Sequence, residues 1–318
     1  MKNVVVIGGG TGVFTVLTSL KHLPVNLTSI VSMADDGGSS GILREEFGIL
    51  PPGDIRRSLV ALSSSSSLLA KLFNYRFKNG YGLKGHSFGN LFLMALEDIV
   101  KDYNKTIEEA GKILGIKGKV IPVSLTNTRL VARLENNELI FGETNIDNPK
   151  HNASVKIKEI FLTPEAKANP LALKAIKKAN YIIIGPGDLY TSIIPNFLVI
   201  GIKEAIKKSK AKKIYICNIM TKYGETNGFA AEDFLAIIQK YLGKGVVDYF
   251  IVNNEKPPLK YLRLYQKEKA ELVVPKNKKQ LEEMKKPKVI FAKLVRHHPL
   301  LRHDPKKLVK IISKLIFE

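Results

Sequence analysis

Asn3-Val4-Val5-Val6-Ile7-Gly8-Gly9-Gly10-Thr11-Gly12 decides the fold. Residues 3–7 form a short apolar, β-branched run of the kind found in parallel strands buried on both faces. The run ends in a glycine turn. Beyond it, Phe14, Leu17 and Leu20 recur at helical spacing until Pro24 stops the helix. A second apolar run, Ser29 to Met33, ends in Asp35-Asp36-Gly37-Gly38-Ser39-Ser40-Gly41. Strand, turn, helix and strand within some 35 residues make a βαβ unit, which feeds a parallel sheet.

The pattern returns in the second half. Tyr181 to Ile184 closes in Gly185-Pro186-Gly187 and leads to an amphipathic helix around Leu198 to Ile206. Ile214 to Ile219 and Asp248 to Val252 are further strands, separated by a helix from about Ala230 to Tyr241. Between the halves, Val120 to Ser124, Arg129 to Leu134 and Glu138 to Gly142 alternate more strongly, with Asn136-Asn137 at a turn, and predict an antiparallel insertion. The run Ser63 to Ser67 is expected to be loop. Asp304 caps a helix whose Leu308, Ile311, Ile312 and Leu315 share one face. The expectation is an α/β, Rossmann-like, doubly wound and mainly parallel sheet in one domain spanning 1–318. It carries a β-rich insertion at about 120–163 and a basic C-terminal extension at about 255–318.

Composition narrows the class. No stretch of 18 or more apolar residues occurs, and Met1 to Ile7 runs into a glycine turn rather than a small-residue cleavage site, so neither a membrane span nor a signal peptide is expected. Cys217 is the only cysteine, which excludes an internal disulfide and a thiolate-rich metal site and points to the cytoplasm. Lys plus Arg number 50 against 29 Asp plus Glu, giving +21. Such a balance attracts polyanions. The lysines, however, are scattered over solvent faces (Lys203, Lys207, Lys208, Lys210) without interleaved aromatics, and no nucleic-acid partner is expected. Residues 255–318 hold 18 Lys or Arg against 7 Asp or Glu, mainly as solvating charge.

A turn between a buried strand and a helix exposes unpaired backbone N–H groups at the positive end of the helix dipole, and anions bind there. Gly8, Gly10 and Gly12 suit close phosphate approach, although a tight structural turn explains the same glycines. The dinucleotide fingerprint fails, because its third glycine would fall at Val13, and no Gly-Lys-Ser or Gly-Lys-Thr occurs. A plain NAD(P) enzyme is thereby disfavoured. Asp35 and Asp36 follow the second strand, where one can ligate a hard cation such as Mg²⁺ and the other a ribose hydroxyl; an Asx turn with capping by Ser39 or Ser40 is the structural alternative. Asp54, after Pro51-Pro52-Gly53, is either an N-cap or a metal ligand or base. Gly85-His86-Ser87-Phe88-Gly89-Asn90 offers donors for phosphate or sugar in His86, Ser87 and Asn90. Gly185-Pro186-Gly187-Asp188-Leu189-Tyr190-Thr191-Ser192 is a further anion turn, and Asn218 ends the next strand.

These motifs, with Leu50-Pro51-Pro52-Gly53-Asp54, Ile194-Pro195-Asn196 and Gly224-Glu225-Thr226, resemble the YvcK group of the CofD-like superfamily from Asn3 to about Asn253. The resemblance implies a cytoplasmic, UDP-sugar-binding regulator, chiefly of UDP-N-acetylglucosamine, linked to cell shape, envelope synthesis and growth on gluconeogenic carbon. A protein partner and self-association enter as further expectations, and no catalytic residue is assigned. The enzymatic branch implies an alternative, a Mg²⁺-dependent 2-phospho-L-lactate transferase acting on a deazaflavin. Carried over, Gly9, Gly10, Thr11 and Gly12 with Gly185, Pro186 and Gly187 are the phosphate turns. Asp36 and Asp54 are the inherited metal positions, while Asp35, Ser39, Ser40, His86, Ser87, Asn90, Asp188, Thr191, Ser192 and Asn218 are expected as ligand contacts from the turns themselves. Tyr265 and Arg302 match the nucleotide-sugar contacts; the stretch from Lys267 to Lys288 departs from the family pattern in its density of lysines.

Overall fold

A computed structural model describes residues 1–63, 68–296 and 300–318. The chain runs β1 (Lys2–Gly8), α1 (Gly10–Leu20), β2 (Val25–Val31), α2 (Gly38–Phe47), α3 (Gly53–Leu62), α4 (Leu68–Asn74), α5 (Phe88–Val100), α6 (Tyr103–Leu114) and β3 (Lys119–Pro122). An insertion follows: β4 (Arg129–Leu134), β5 (Leu139–Phe141), α7 (Glu143–Asp147) and β6 (Ile157–Thr163). The second half comprises α8 (Pro170–Lys178), β7 (Tyr181–Ile184), a π-helical turn Leu189–Ile193, α9 (Ile194–Leu198), α10 (Ile202–Lys208), β8 (Lys212–Ile216), α11 (Ala231–Leu242) and β9 (Tyr249–Asn253). The chain ends with α12 (Leu259–Lys267), α13 (Lys278–Glu282), β10 (Lys288–Ala292), β11 (Val295–Arg296), β12 (Arg302–His303) and α14 (Pro305–Phe317).

Seven strands form one sheet in the order β10-β9-β8-β7-β1-β2-β3, and every neighbouring pair is parallel. The expected doubly wound α/β fold is observed. Central β1 is buried on both faces from Val4 to Ile7, which is why its sequence is continuous rather than alternating. Val13, Val16, Leu17 and Leu20 turn the inner face of α1 onto the sheet. Asp304 accepts from the backbone N–H of Lys306 and Lys307, starting α14, whose Leu308, Ile312 and Ile316 are buried as it packs on α1. Each such aliphatic burial contributes about 1.5–3 kcal/mol.

Three sequence expectations are corrected. Val120 to Ser124 is not part of the antiparallel insertion: β3 pairs in parallel with β2, Thr28 opposite Lys119 through Val31 opposite Pro122, and forms the sheet edge. The antiparallel sheet is β5-β4-β6, its third strand being Ile157–Thr163. The helix expected over 198–206 is two helices, parted at Gly201, whose φ of +97° no regular helix accommodates. The basic C-terminal stretch is also no mere extension, since β10 adds the seventh strand, Lys288 opposite Tyr249. Of the serine run, Ser64 to Ser67 lie outside the described residues.

Candidate functional site

From β1 the chain winds to β2 and β3 on one side, then returns to β7 and winds through β8, β9 and β10 on the other. Loops leaving the carboxyl ends of β1 and β7 therefore diverge, and a crevice opens between them at the point where open α/β sheets place ligands. The two glycine turns meet there backbone to backbone. A Cβ on Gly12 would lie 2.0 Å from the Pro186 carbonyl oxygen and 2.5 Å from its carbon. The Gly185 N–H donates to the Ile7 carbonyl at 3.0 Å, and Asn218 Nδ2 donates to the Gly187 carbonyl at 2.8 Å. Above the turns opens a cleft of about 840 Å³. Its floor is Gly10, Thr11, Gly12, Pro186 and Gly187, and the segment Asn218 to Tyr223 forms one side.

That side stands on a small core of its own. Ile219, Val295 and Leu301 are buried there, with Met220, Tyr261, Leu262, Tyr265 and Leu272 packed around them, apart from the main core. Helix α12 has no buried residue of its own. Tyr265 Oη donates to the Leu301 carbonyl at 3.2 Å, tying α12 to the β11–β12 ribbon. That ribbon is anchored to the sheet through His303, 7% exposed, whose Nε2 lies 3.0 Å from the Cys217 carbonyl. Burial pushes the imidazole down to about 4, so His303 is neutral, and its Nε2–H donates. Arg302, next in sequence, stands exposed on the rim. Tyr265 and Arg302 thus line the same cleft as the glycine turns although they are distant in sequence.

Inside a strongly cationic chain, the site is acidic at one end. One carboxylate oxygen each from Asp147, Asp188 and Glu225 lies within 4.8 Å of the others. Glu225, 4% exposed, accepts from the Tyr190 N–H at 3.0 Å and from Thr191 Oγ1 at 3.1 Å, bracing the second turn. Burial, then Asp188 and Asp147, push its carboxyl up to about 8; burial also raises that of Asp188. Lys222 Nζ lies 3.0 Å from Asp147; burial works against its charge, but Asp188 and Asp147 outweigh it and raise its pKa. Nearby, burial followed by the charge of Asp35 lifts Glu143 to about 9.

Of the residues expected from sequence, Gly10, Thr11, Gly12, Pro186, Gly187, Asp188, Ser192, Asn218, Tyr265 and Arg302 line this one cleft. Gly9 and Gly185 sit beneath it in the turns. Five others form a buried polar network beside it. Ser39 Oγ lies 3.1 Å from His86 Nδ1 and accepts from Asn90 Nδ2 at 3.1 Å; Asn90 Nδ2 also reaches Ser40 Oγ at 3.5 Å, and Ser87 caps α5. Asn90 Oδ1 accepts from Arg56 Nε at 2.9 Å. Ser39 and Ser40 therefore do not cap α2, whose N-cap is Gly37. Thr191 is spent on Glu225 rather than on the cleft.

The expected metal positions are turned to the backbone. Asp36 accepts from the Thr144 N–H at 2.8 Å and from the Glu143 N–H at 3.1 Å, one oxygen each, holding the start of α7. Asp35 accepts from the Gly37 N–H in an Asx turn. Asp54 is not the N-cap of α3, a position held by Pro52. Its Oδ1 accepts from the Gly10 N–H at 3.0 Å, so it satisfies the amino end of α1, with Arg57 at 3.5 Å. Burial and then the charge of Asp35 push Asp54 up to about 6. Sequence reasoning missed Asp147, Lys222 and Glu225 as site residues. Glu225 lay in a recognised motif without a role, whereas Asp147 is delivered by the insertion and carries no local signal.

The sequence model of the 2-phospho-L-lactate transferase CofD matches residues 4–295. The chain belongs to the CofD family. Within that family it is 50% identical over 275 residues to a gluconeogenesis factor of Halalkalibacterium halodurans, covering 86% of this chain and 84% of the relative. It is 42% identical over 320 residues to the gluconeogenesis factor of Bacillus subtilis, covering 99% and 98%. A crystal structure of a Bacillus halodurans protein superposes with a TM-score of 0.92 at 45% identity, covering 98% of each chain. This CofD-family chain is therefore of the gluconeogenesis-factor type in sequence, and it shares the fold of that Bacillus halodurans structure. Among the described residues, no helix is long and apolar enough to cross a membrane.

Proposed function

We propose that this protein is a cytoplasmic, UDP-sugar-binding regulator of the YvcK type, serving cell shape, envelope synthesis and growth on gluconeogenic carbon. The observation that carries the reading is the backbone-on-backbone meeting of two glycine turns under a cleft whose side wall presents Tyr265 and Arg302. A diphosphate fits such a floor because unpaired amides at a helix start favour anions. Asp54 already holds the Gly10 amide, leaving the amides beyond it for the ligand. Arg302 suits the rim, since a planar guanidinium can pair with two phosphate oxygens. Names given to relatives as gluconeogenesis factors support this reading. Occupancy would brace the separate core under Tyr265 and so alter a surface read by a protein partner.

Thermal-shift titration with UDP-N-acetylglucosamine, GTP and NADPH, each with and without Mg²⁺, tests it, because a ligand that binds only the native state raises Tm by mass action. UDP-N-acetylglucosamine should give the largest rise; stabilisation by GTP alone overturns the reading. Arg302→Ala should weaken UDP-sugar binding by about 1–3 kcal/mol through loss of a charge-assisted pair. Calorimetric titration checks this, and unchanged affinity removes Arg302 from the site.

A second reading, a Mg²⁺-dependent phospholactyl transferase, is favoured by the acidic end of the cleft and by the matched family's description. Three carboxylate oxygens suit a hard cation, which would bridge to phosphate oxygens when bound. Asp147 and Asp188 supply them more freely than Asp36, whose oxygens hold α7; both Glu225 oxygens already accept from the second turn, and a cation there must also displace Lys222 from Asp147. Mg²⁺-dependent turnover with a deazaflavin acceptor would select this reading.

A further inference from the structure

A second cavity, of about 260 Å³, lies between α2 and the antiparallel sheet. Arg44, Glu45, Asn127, Arg129, Thr163 and Pro164 line it, and it shares no lining residue with the cleft. Arg129 and Thr163 stand opposite each other as the terminal pair of the β4–β6 ladder. Thr128 is tied down between them and α2: its Oγ1 donates to the Pro164 carbonyl at 2.6 Å, and its own carbonyl accepts from Arg44 Nη2. One guanidinium thus joins α2 to the insertion.

Arg44 is an unusual cation. It is 4% exposed, it has no ion pair among the described residues, and its Nη1 is buried without a hydrogen-bond partner. A basic residue in the last turn of a helix suits the helix dipole, which accounts for the charge but not for burying it. Nor is a carboxylate free to pair with it: Asp36 spends both oxygens on α7, and Glu45 holds Arg129 instead. Burial first, and then the charge of Arg129, lower the Arg44 pKa against the smaller pull of Asp36 and Glu45. The cavity is therefore lined by two guanidiniums, Arg44 and Arg129, and one carboxylate, Glu45. Water can satisfy a buried nitrogen but cannot balance a buried charge. An oxyanion does both, because the planar guanidinium fork matches its oxygens. Phosphate suits the pair better than a carboxylate, since two forks present more donors than two oxygens can use.

We propose that this cavity binds a phosphate oxyanion, free or carried by a small phosphorylated molecule, which takes the place of Glu45 on Arg129 and accepts from Arg44 as well. There it ties α2 to the insertion, the segment that delivers Asp147 to the cleft. Calorimetric titration of the full chain with inorganic phosphate, and separately with glycerol phosphate, at constant ionic strength tests this. Arg129→Gln, at a half-exposed position and with Tm retained, should weaken binding by about tenfold or more through loss of a charge-assisted contact. Glu45→Gln should tighten binding, because the competing carboxylate is gone; a purely structural Glu45–Arg129 pair gives no such gain. Both effects should persist in an Arg302→Ala background, which weakens any phosphate held in the cleft. Tighter binding of glycerol phosphate assigns the site to a phosphorylated metabolite, and equal or weaker binding to free phosphate. Failure of both probes to bind at millimolar concentration overturns the proposal. Binding that either Arg129→Gln or Glu45→Gln leaves unchanged overturns it equally, since it reports only diffuse attraction to a chain of +21.

Discussion

Gly12→Ala should lower stability by about 3 kcal/mol or more and abolish nucleotide-sugar binding. The added carbon would sit 2.0 Å from the Pro186 carbonyl oxygen, 2.5 Å from its carbon and 2.9 Å from the Gly187 nitrogen. All three are main-chain atoms at the end of β7, so no rotamer change relieves the clash. Either α1 swings off β1, uncovering Val13, Val16 and Leu17, or the second turn shifts and the cleft floor opens. A comparison at Gly38 isolates the cause. That glycine also lies in a turn beside the site, with φ +44°, but a Cβ there meets no atom within 4 Å. Gly38→Ala should therefore cost only about 1 kcal/mol, the ordinary charge for a left-handed residue. Chemical denaturation of the two variants and thermal shift with UDP-N-acetylglucosamine give the readout. Equal, mild destabilisation would mean that the turns do not touch as described.

Much of the architecture was legible because burial on both faces leaves a plain signature. β1 and β7 are runs of Val and Ile that lead into glycine, the signature of strands buried on both faces. Edges were less legible. Lys119–Pro122 is four residues long, and nothing local in it says whether its partner will be parallel β2 or an antiparallel neighbour. Pairing is decided by tertiary context, not by the strand's own pattern.

The site shows the same division. Glycine turns at strand ends announce themselves, since close backbone approach excludes a side chain, and both turns were found. Polar residues next to glycine do not reveal what they face: Ser39, His86 and Asn90 bond mainly to one another, while Asp188 and Ser192 line the cleft. Asp36 and Asp54 read as cation ligands from their exposed-looking context, yet each stops a helix end. An aspartate at a helix start satisfies the same electrostatics as one at a metal, so sequence alone cannot separate the two. Tyr265 and Arg302 were reachable only through family resemblance, because the wall that brings them to the cleft is built from segments some 40 residues apart.

That wall should come loose in acid before the sheet does. His303 is buried and neutral, with its pKa pushed down to about 4 from the ordinary 6.5, and its Nε2–H holds the Cys217 carbonyl. A histidine with a lowered folded-state value gives up protons that the unfolded chain would take. Its favourable contribution is therefore complete above pH 6.5 and drains away as pH falls from 6.5 through 4. One pKa unit corresponds to about 1.4 kcal/mol, so the full loss is about 3 kcal/mol at most. Several carboxyls respond in the opposite sense: Glu225 and Asp54, with values raised to about 8 and 6, favour the folded state as pH falls. Acid should accordingly spare the strands and free the β11–β12 ribbon, and with it Arg302 and the Leu301 carbonyl that orients Tyr265. The expected result is a steep loss of UDP-sugar affinity between pH 6.5 and 4, with far-ultraviolet circular dichroism largely retained. In His303→Gln, whose amide can still donate to Cys217 but does not titrate, that loss should be much shallower. Parallel loss in both proteins would place the acid-sensitive group elsewhere.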